Sequence, residues 1–205
     1  MDNIKELRFE CTRCGNCCID KNTLVNVTYF DILRIKEKLD LTLDELLEVI
    51  GFYIFEKTPD KESLKKIVIS PIETEKGLAF IGLLKKEIGE CIFYDHKNKK
   101  CLIYSIRPAF CRTFPFFFKK VLNKNNEIEI QILYTEKGKE YCPGIDKNSP
   151  VINKDNWKNL GVKTLEQLNQ NDVIIQEWNK GVKTGKLIPS VRNFISMILK
   201  LKKLH

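Results

Sequence analysis

Eight cysteines are the residues in this sequence whose type and spacing could do chemistry. Half of them form the run C-x-x-C-x-x-C-C, at Cys11, Cys14, Cys17 and Cys18. Gaps of two residues let a chain curl around one centre, so that thiolates converge and spare backbone N–H groups point at sulfur. Gly15 relieves steric conflict where this backbone turns sharply. The run therefore predicts a loop that binds a metal or a cluster.

The spacing of this run leaves iron and zinc open. Bacterial ferredoxins use three cysteines at this spacing for an iron–sulfur cube, and the next cysteine serves a different cluster. Zinc sites more often pair two C-x-x-C elements from separate places. Adjacent side chains diverge in extended or turn backbone, so Cys17 and Cys18 need not bind the same metal atom, and Cys18 is a candidate bridge to a second centre. A zinc module gains nothing from such a doublet, which favours iron.

The other four cysteines lie at Cys91, Cys101, Cys111 and Cys142. The first three are each ten residues apart, which suits ligands presented by successive short elements. A free cysteine can also pack as a small hydrophobe, an interpretation that we accept for one or two of these positions but not for all four. We therefore predict that all eight cysteines bind metal or cofactor: Cys11, Cys14, Cys17, Cys18, Cys91, Cys101, Cys111 and Cys142.

Two arginines flank Cys111 and are candidate catalytic residues. The guanidinium groups of Arg107 and Arg112 could bind a substrate carboxylate or phosphate, or donate to cluster sulfurs. An ordinary salt bridge to Asp95 or Glu90 is an equal alternative. A role in a substrate or cluster site and a purely structural role both remain open for these residues.

Two further side chains near the cysteines also have two interpretations each. Tyr104 is a candidate proton or radical relay, although a packed aromatic ring with a satisfied hydroxyl group is favoured. His96 lies in a predicted turn between two cysteines and could bind metal, although a solvated loop histidine is favoured. Tyr104 therefore joins the two arginines as a catalytic candidate.

The compartment decides whether these cysteines stay reduced. The start of the sequence, MDNIKELRFE, carries charges and no apolar stretch, so we expect no secretory signal and place the chain in the cytoplasm. The longest wholly apolar stretches, such as 116–118, fall far short of the ~20 residues that span a membrane. The cytosol keeps thiols reduced, and a disulfide framework stays open only for a hyperthermophilic source.

Composition indicates a globular chain without an obvious nucleic-acid site. The 205 residues, 43% hydrophobic and 30% charged, fit one domain with a real core and exclude disordered and collagen-like classes. The net charge of +8 comes largely from scattered Lys-Lys pairs. Because no RNP-like or zinc-finger signature accompanies the charge, we interpret it as a lysine-rich surface and regard nucleic-acid binding as unlikely.

The elements that must position these residues follow from patterns between them. Thr28 and Thr42, each with an acidic residue three positions later, predict helices over about 28–39 and 42–50. Short β-rich runs follow between 52 and 134, including KIVIS at 66–70, and polar segments at 96–100 and 123–126 predict hairpins. A helical turn over 105–114, with Ser105 as its cap and Pro108 near its start, interrupts these runs.

The last part of the chain predicts two helices, at about 164–179 and 190–203. Thr164 with Gln167 forms the pattern of a capping box for the first, and Pro189-Ser190 begins the second. We predict an α+β fold: a single domain with a small antiparallel sheet, flanking helices and an irregular cysteine-lined metal core. In it, 1–145 is a CxxCxxCC metal-binding domain and 146–205 a helical extension packed on the same core. The N-terminal loop should fold back over 91–115.

The sequence resembles the YkgJ-type cysteine-cluster family, whose shared region is a zinc- or iron-chelating CxxCxxCC domain and which includes the flagellin lysine methylase. The resemblance rests on FECTRCGNCC at 9–18, the pair Cys91 and Cys101, IYSIRPAFCRTFP at 103–115 and CPG at 142–144. It covers roughly 7–145. It implies metal binding by these cysteines, and it carries lysine methylation over only as an option, since the chain shows no separate methyltransferase fingerprint.

Three functions are therefore weighed. The first is an iron–sulfur protein with one or two [4Fe–4S] clusters, acting as an oxidoreductase or a protein-modifying methyltransferase on an unknown protein or small molecule. S-adenosylmethionine is an option as its cofactor, although the spacing departs from the C-x3-C-x2-C of radical enzymes. The second is a zinc module for structure, partner binding or metal delivery. Disulfide exchange ranks last because no buried parallel strand precedes Cys11.

Overall fold

The computed structural model describes residues 6–55 and 68–201 and has the predicted α+β class. The helices in those ranges are α1 (Asn16–Ile19), α2 (Tyr29–Lys38), α3 (Leu43–Leu47), α4 (Ala109–Thr113), α5 (Glu136–Tyr141), α6 (Lys154–Lys183) and α7 (Val191–Leu201). A 3₁₀ turn spans Tyr104–Ile106. The strands are β1 (Ile50–Ile54), β2 (Ile72–Thr74), β3 (Gly77–Leu83), β4 (Tyr94–Asp95), β5 (Lys100–Cys101), β6 (Phe116–Leu122) and β7 (Ile128–Tyr134).

The strands form small antiparallel sheets rather than one. Within the described ranges, β3 lies between β1 and β2, while β4 pairs with β5 and β6 pairs with β7. The predicted turn at 96–100 connects the strands β4 and β5, and the predicted turn at 123–126 connects β6 and β7. Between β3 and β6 the chain forms only the short hairpin of β4 and β5, the 3₁₀ turn and α4. Of the strand predicted at 66–70, the first two positions lie outside the described residues and 68–70 are irregular.

The first two predicted helices begin where the sequence indicated. Thr28 caps α2 through a complete capping box with Asp31, and Thr42 caps α3 in the same way with Glu45. These caps satisfy backbone N–H groups that have no partner inside the helix. Helix α3 ends at Leu47, before the predicted end at 50, because Ile50 pairs with Leu83 in the sheet.

The buried carboxylate of Asp31 does more than cap α2. One of its oxygens accepts the N–H and the hydroxyl group of Thr28. The other accepts from the guanidinium of Arg34 and from the N–H of Ala109 at 3.0 Å. Arg34 also donates to the carbonyl groups of Ile106 and Arg107. The start of α2 thereby holds the 3₁₀ turn and the start of α4, the segment predicted as a helical turn over 105–114.

The C-terminal prediction needs one correction. Helix α6 begins ten residues before the predicted start, because Asn153 rather than Thr164 caps it, accepting from the N–H of Asn156. Thr164 lies inside the helix and donates its hydroxyl group to the carbonyl of Leu160. Helix α7 begins directly after Ser190, as predicted, and its predicted end at 202–203 lies outside the described residues. No helix in the described ranges is long and apolar enough to cross a membrane.

Two hydrophobic clusters fill the interior. The larger contains Ile32 and Ile35 of α2, Ile175 and Trp178 of α6, and buried residues of α7. The smaller packs β6 and β7 against the start of α6 and includes Phe9 from the N-terminal segment. Next to Phe9, the N–H of Glu10 donates to the carbonyl of Gly144 at 3.1 Å. The chain just before the first cysteine is therefore held beside the segment that follows Cys142.

The position of Asp31 generates a stability prediction. In Asp31→Asn the side chain loses the charge that compensates Arg34 and presents an amide where the carboxylate accepts four hydrogen bonds. Removing one partner of a buried ion pair costs about 3–5 kcal/mol, so we expect the free energy of unfolding, measured by chemical denaturation, to fall by about 3 kcal/mol or more. The control is Asp44→Asn, which removes an exposed ion pair with Arg192 and should leave stability nearly unchanged. Equal stability of both variants would contradict the role of Asp31.

Candidate metal centre

All eight cysteines line one cavity of about 190 Å³. Its wall contains residues of the N-terminal run, of the segment 91–111 and Cys142, which follows α5. The N-terminal loop was predicted to fold back over 91–115. Phe9, Ile103 and Phe114 are among the apolar residues in the same wall. The cysteines that meet here are Cys11, Cys14, Cys17, Cys18, Cys91, Cys101, Cys111 and Cys142.

The N-terminal loop is tied to both of the other cysteine-bearing segments. The carbonyl of Cys18 accepts from the N–H of Cys91 at 2.8 Å. The side-chain amide of Asn16 donates to the carbonyl of Tyr141, directly before Cys142. One backbone–backbone and one side-chain–backbone hydrogen bond therefore join cysteine-bearing segments that are far apart in sequence.

Gly15 makes the closest approach in this loop. Its φ of +84° is in the left-handed region, and a Cβ at this position would stand 2.6 Å from the hydroxyl oxygen of Tyr94. A side chain here meets both backbone strain and a collision with a buried ring. The glycine predicted to serve a sharp turn therefore also lets the loop lie against β4.

The ten-residue spacing of the later cysteines follows from the elements between them. Cys91 stands just before β4, and Cys101 ends β5, where it pairs with Tyr94. Cys111 lies in α4, after the 3₁₀ turn. A short hairpin and a short helical turn thus return the chain twice to the same cavity.

The thiols differ in their exposure to solvent. Cys11, Cys14 and Cys17 are exposed on the outer side, Cys91 is buried, and the other four lie between these extremes. The Sγ atoms of Cys17 and Cys18 are 4.0 Å apart. Two ligands of a tetrahedral zinc ion with bonds of ~2.3 Å would be about 3.8 Å apart. The sequence predicted that these two side chains diverge, as they would in extended backbone. Cys17 and Cys18 lie in helix α1 instead, and their sulfurs are close enough to share one metal ion.

The acidity of the thiols reflects their neighbours and their burial. Donation towards Cys101 and Cys17 raises the pKa of Cys18. The hydrogen bond with Cys18 lowers the pKa of Cys17. A hydrogen bond with Cys18 also lowers the pKa of Cys101 to about 6, and the positive charge of Arg107 acts in the same direction. Burial raises the pKa of Cys91 to about 11, and desolvation raises that of Cys111 well above its usual value. A bound cation would reverse this pattern, because a coordinating thiol is deprotonated.

Backbone N–H groups point at several of the sulfurs. The N–H groups of Phe93 and Ile103 face the sulfurs of Cys91 and Cys101, each two residues earlier, and lower their pKa values against the effect of burial. The N–H of Gly144 acts in the same way on Cys142, whose pKa burial raises. The N–H groups of 11–16 have no acceptor among the described residues. These donors suit thiolate or cluster sulfur.

The side chains are not yet arranged around one point. In the described part of the chain, no three Cys, His, Asp or Glu side chains stand together as a group that could hold a metal ion. The cysteines thus share a cavity wall without converging on one point. A donor set made of thiols fits zinc, copper(I) or iron–sulfur clusters and does not fit hard cations such as Mg²⁺.

Two of the three basic residues of the cavity, Arg13 and Lys100, were not among the predicted site residues. Arg13, Lys100 and Arg107 line the wall, which contains no Asp or Glu from the described residues. The guanidinium carbons of Arg13 and Arg107 lie 4.4 and 3.8 Å from the ring centroid of Tyr104. Arg13 could have been found from its place inside the cysteine run.

The other candidates lie outside the cavity wall. His96 is 75% exposed and its ring pairs with the buried carboxylate of Glu90 at 2.8 Å. Arg112 does not line the cavity, and its Nε is buried without a partner among the described residues. Neither Arg107 nor Arg112 forms the predicted salt bridge, because Glu90 pairs with His96 and Asp95 accepts from Asn98.

Comparison with known proteins agrees with the cysteine pattern. Residues 10–143 match the family model CxxCxxCC, described as a "putative zinc- or iron-chelating domain". An uncharacterized protein of the archaeon Methanocaldococcus jannaschii is 32% identical over 111 residues, which are 54% of this chain and 46% of the relative. The chain thus spans less than half the length of that relative. No solved structure matches.

Two glycines with similar backbone allow a controlled test of the loop. Gly15→Ala adds a methyl group against Tyr94, so we expect metal bound per chain to fall by more than half. Gly185 has a φ of +71° with nothing within 4 Å of a Cβ, so Gly185→Ala carries the same left-handed strain of about 1–2 kcal/mol without a collision and should keep its metal. Elemental analysis of both purified proteins decides. Equal metal content would show that the close approach is not needed for binding.

Proposed function

The chain belongs to the CxxCxxCC family of zinc- or iron-chelating domains, and we propose that it binds its metal through the thiols of the eight-cysteine cavity. The observation that carries this proposal is that the cavity wall gathers every cysteine in the sequence. Cysteines that served only as small hydrophobes would be distributed through the core. Instead, three of them are exposed at one opening.

We further propose iron, held as one or two iron–sulfur clusters. Cys11, Cys14 and Cys17 have the spacing of a ferredoxin-type run, and unpaired backbone N–H groups of 11–16 are available to sulfur acceptors. Lys100 places a positive charge in the same wall, and Phe9 and Phe114 add apolar surface to it. Such a cluster supplies one-electron transfer.

The activity that we associate with such a centre is redox or protein-modifying chemistry. Lysine methylation, with S-adenosylmethionine as a further cofactor, is one form that this chemistry could take. The opening beside the exposed Cys11, Cys14 and Cys17 gives a substrate access to the centre. A reducing compartment such as the cytoplasm would keep these thiols free for metal.

Zinc is the second candidate, and one distance favours it. The Cys17 and Cys18 sulfurs, 4.0 Å apart, match two corners of a tetrahedral zinc site. Eight thiols also divide into two closed sets of four. Such sites would organise the loops for partner binding or metal delivery without catalysis.

Metal analysis after anaerobic purification separates these candidates. We expect a brown protein with broad absorption near ~400 nm and iron matched by acid-labile sulfide. A colourless protein with one or two zinc ions would replace the cluster by the zinc module, and Zn–S distances of ~2.3 Å from X-ray absorption would verify it. A protein that holds neither metal, even after anaerobic reconstitution, would refute the proposed function.

Substitutions test whether the two cysteine groups share a centre. Cys14→Ala removes a thiol from the exposed loop and Cys111→Ala removes one from α4. Because both line one cavity, we expect each variant to lose more than half of its metal and to give less soluble protein. Thr12→Ala, in the same loop and the same wall, serves as the control and should keep its metal. Full retention of metal in both cysteine variants would contradict a shared centre.

A further inference from the structure

The arginines of this chain fall into two groups. Arg8, Arg34 and Arg192 each form an ion pair with a carboxylate. The other three, at Arg13, Arg107 and Arg112, form no ion pair within the described residues. Two of these three line the cysteine cavity. Within the described residues, both arginines of the candidate metal centre therefore lack an ion pair, whereas of the four arginines outside its wall only Arg112 lacks one.

Arg13 and Arg107 are also held close to each other. Their guanidinium carbons lie 4.4 and 3.8 Å from the same point, the ring centroid of Tyr104. Both guanidinium groups therefore lie against one ring, with their carbons no further apart than the sum of these distances. The aromatic ring attracts each cation but does not remove their mutual repulsion. An anion that contacts both groups would reduce that repulsion.

Arg107 shows a second sign of a missing acceptor. Its Nε is buried and has no hydrogen-bond partner among the described residues. A buried donor without an acceptor is destabilising, and more so when it belongs to a charged group. The backbone on either side is fixed, because Arg34 holds the carbonyl of Arg107 and Asp31 holds the N–H of Ala109. The guanidinium is thus presented to the cavity by a rigid segment.

We propose that Arg13 and Arg107 form a subsite for a small oxyanion, a carboxylate or a phosphate group, in the wall of the metal cavity, and that Tyr104 is its positioning residue. This inference rests on the proposed function and adds the ligand class of the same site. Guanidinium groups bind carboxylate and phosphate with paired donors. Arg13 lies on the exposed loop and Arg107 in the wall, so an anion would enter from the solvent side and lie next to the sulfurs.

The competing explanation is that the guanidinium groups only balance the charge of metal-bound thiolates. The two explanations differ in measurable ways. Counter-charges would be needed for the metal to stay bound, whereas an anion subsite is needed only for the anion. The experiment must therefore record metal content and anion affinity separately in each protein.

Calorimetric titration of the metal-loaded full chain tests the subsite. The probes are inorganic phosphate and acetate, each at constant ionic strength in chloride. We expect binding of at least one anion to the native protein, and an affinity about tenfold lower in Arg13→Gln and in Arg107→Gln, since a hydrogen bond to a charged group is worth about 1.5–3 kcal/mol. The anion that binds more tightly identifies the ligand as a phosphate or a carboxylate.

Matched variants isolate the arrangement on the ring. Arg192→Gln removes an exposed arginine far from the cavity and should bind the anion like the native chain. Tyr104→Phe keeps the aromatic ring, so this variant should also bind the anion like the native chain. Tyr104→Leu removes the ring and should weaken anion binding without loss of metal. A purely structural role for the ring would lower metal content and anion affinity together.

Three results would overturn the inference. They are a metal-loaded native protein that binds neither anion, arginine variants that bind the anion as the native chain does, and arginine variants that lose their metal. The last result would assign the guanidinium groups to charge balance. A native chain without iron or zinc would instead refute the proposed function, and elemental analysis detects that failure independently of the titration.

Discussion

The cavity depends on one buried carboxylate that joins two parts of the chain. The side chain of Asp31 is fully buried and completes the capping box of α2. It also balances the charge of Arg34 and accepts a hydrogen bond from the N–H of Ala109. An ion buried so deeply is stable only when its hydrogen bonds are complete, so the segment 104–111 cannot move without breaking several of them together. That segment carries Arg107 and Cys111. A polar contact outside the metal centre thus determines where one wall of the centre stands.

The opposite wall has a different kind of support. Residues 11–16 make few backbone hydrogen bonds of their own. Gly15 lies against Tyr94, and the flanking residues Glu10 and Cys18 bond to Gly144 and Cys91. Without a cation, the buried thiols on the inner side hold their protons, because burial raises the pKa of Cys91 and Cys111. Metal binding by these thiols, as proposed, would release those protons, so its affinity would fall as pH falls, and its free energy would be available to order the loop.

Local patterns predicted much of this structure, and long-range contacts account for what they missed. The capping boxes of α2 and α3 and the two hairpin turns depend on residues within four positions of each other, and the sequence displays them directly. The start of α6 was misplaced because Thr164 offers a cap pattern that packing overrides in favour of Asn153. The proximity of Arg13 to Tyr104 depends on the path of the loop, which no local pattern records. Chemical type identified the cysteines, but only the fold shows that they face one cavity.

The distribution of charge in the cavity limits what the site can do. Thiols from the N-terminal run, the segment 91–111 and Cys142 line the cavity, while the only cations of the wall among the described residues are Arg13, Lys100 and Arg107. A closed structural zinc site needs neither an opening nor unpaired guanidinium groups, since four ligands complete its coordination. Arg13 and Arg107 lie in the cavity wall without an ion pair among the described residues. If the proposed oxyanion subsite is present, the centre would bind a ligand beside its sulfurs rather than only hold the chain together.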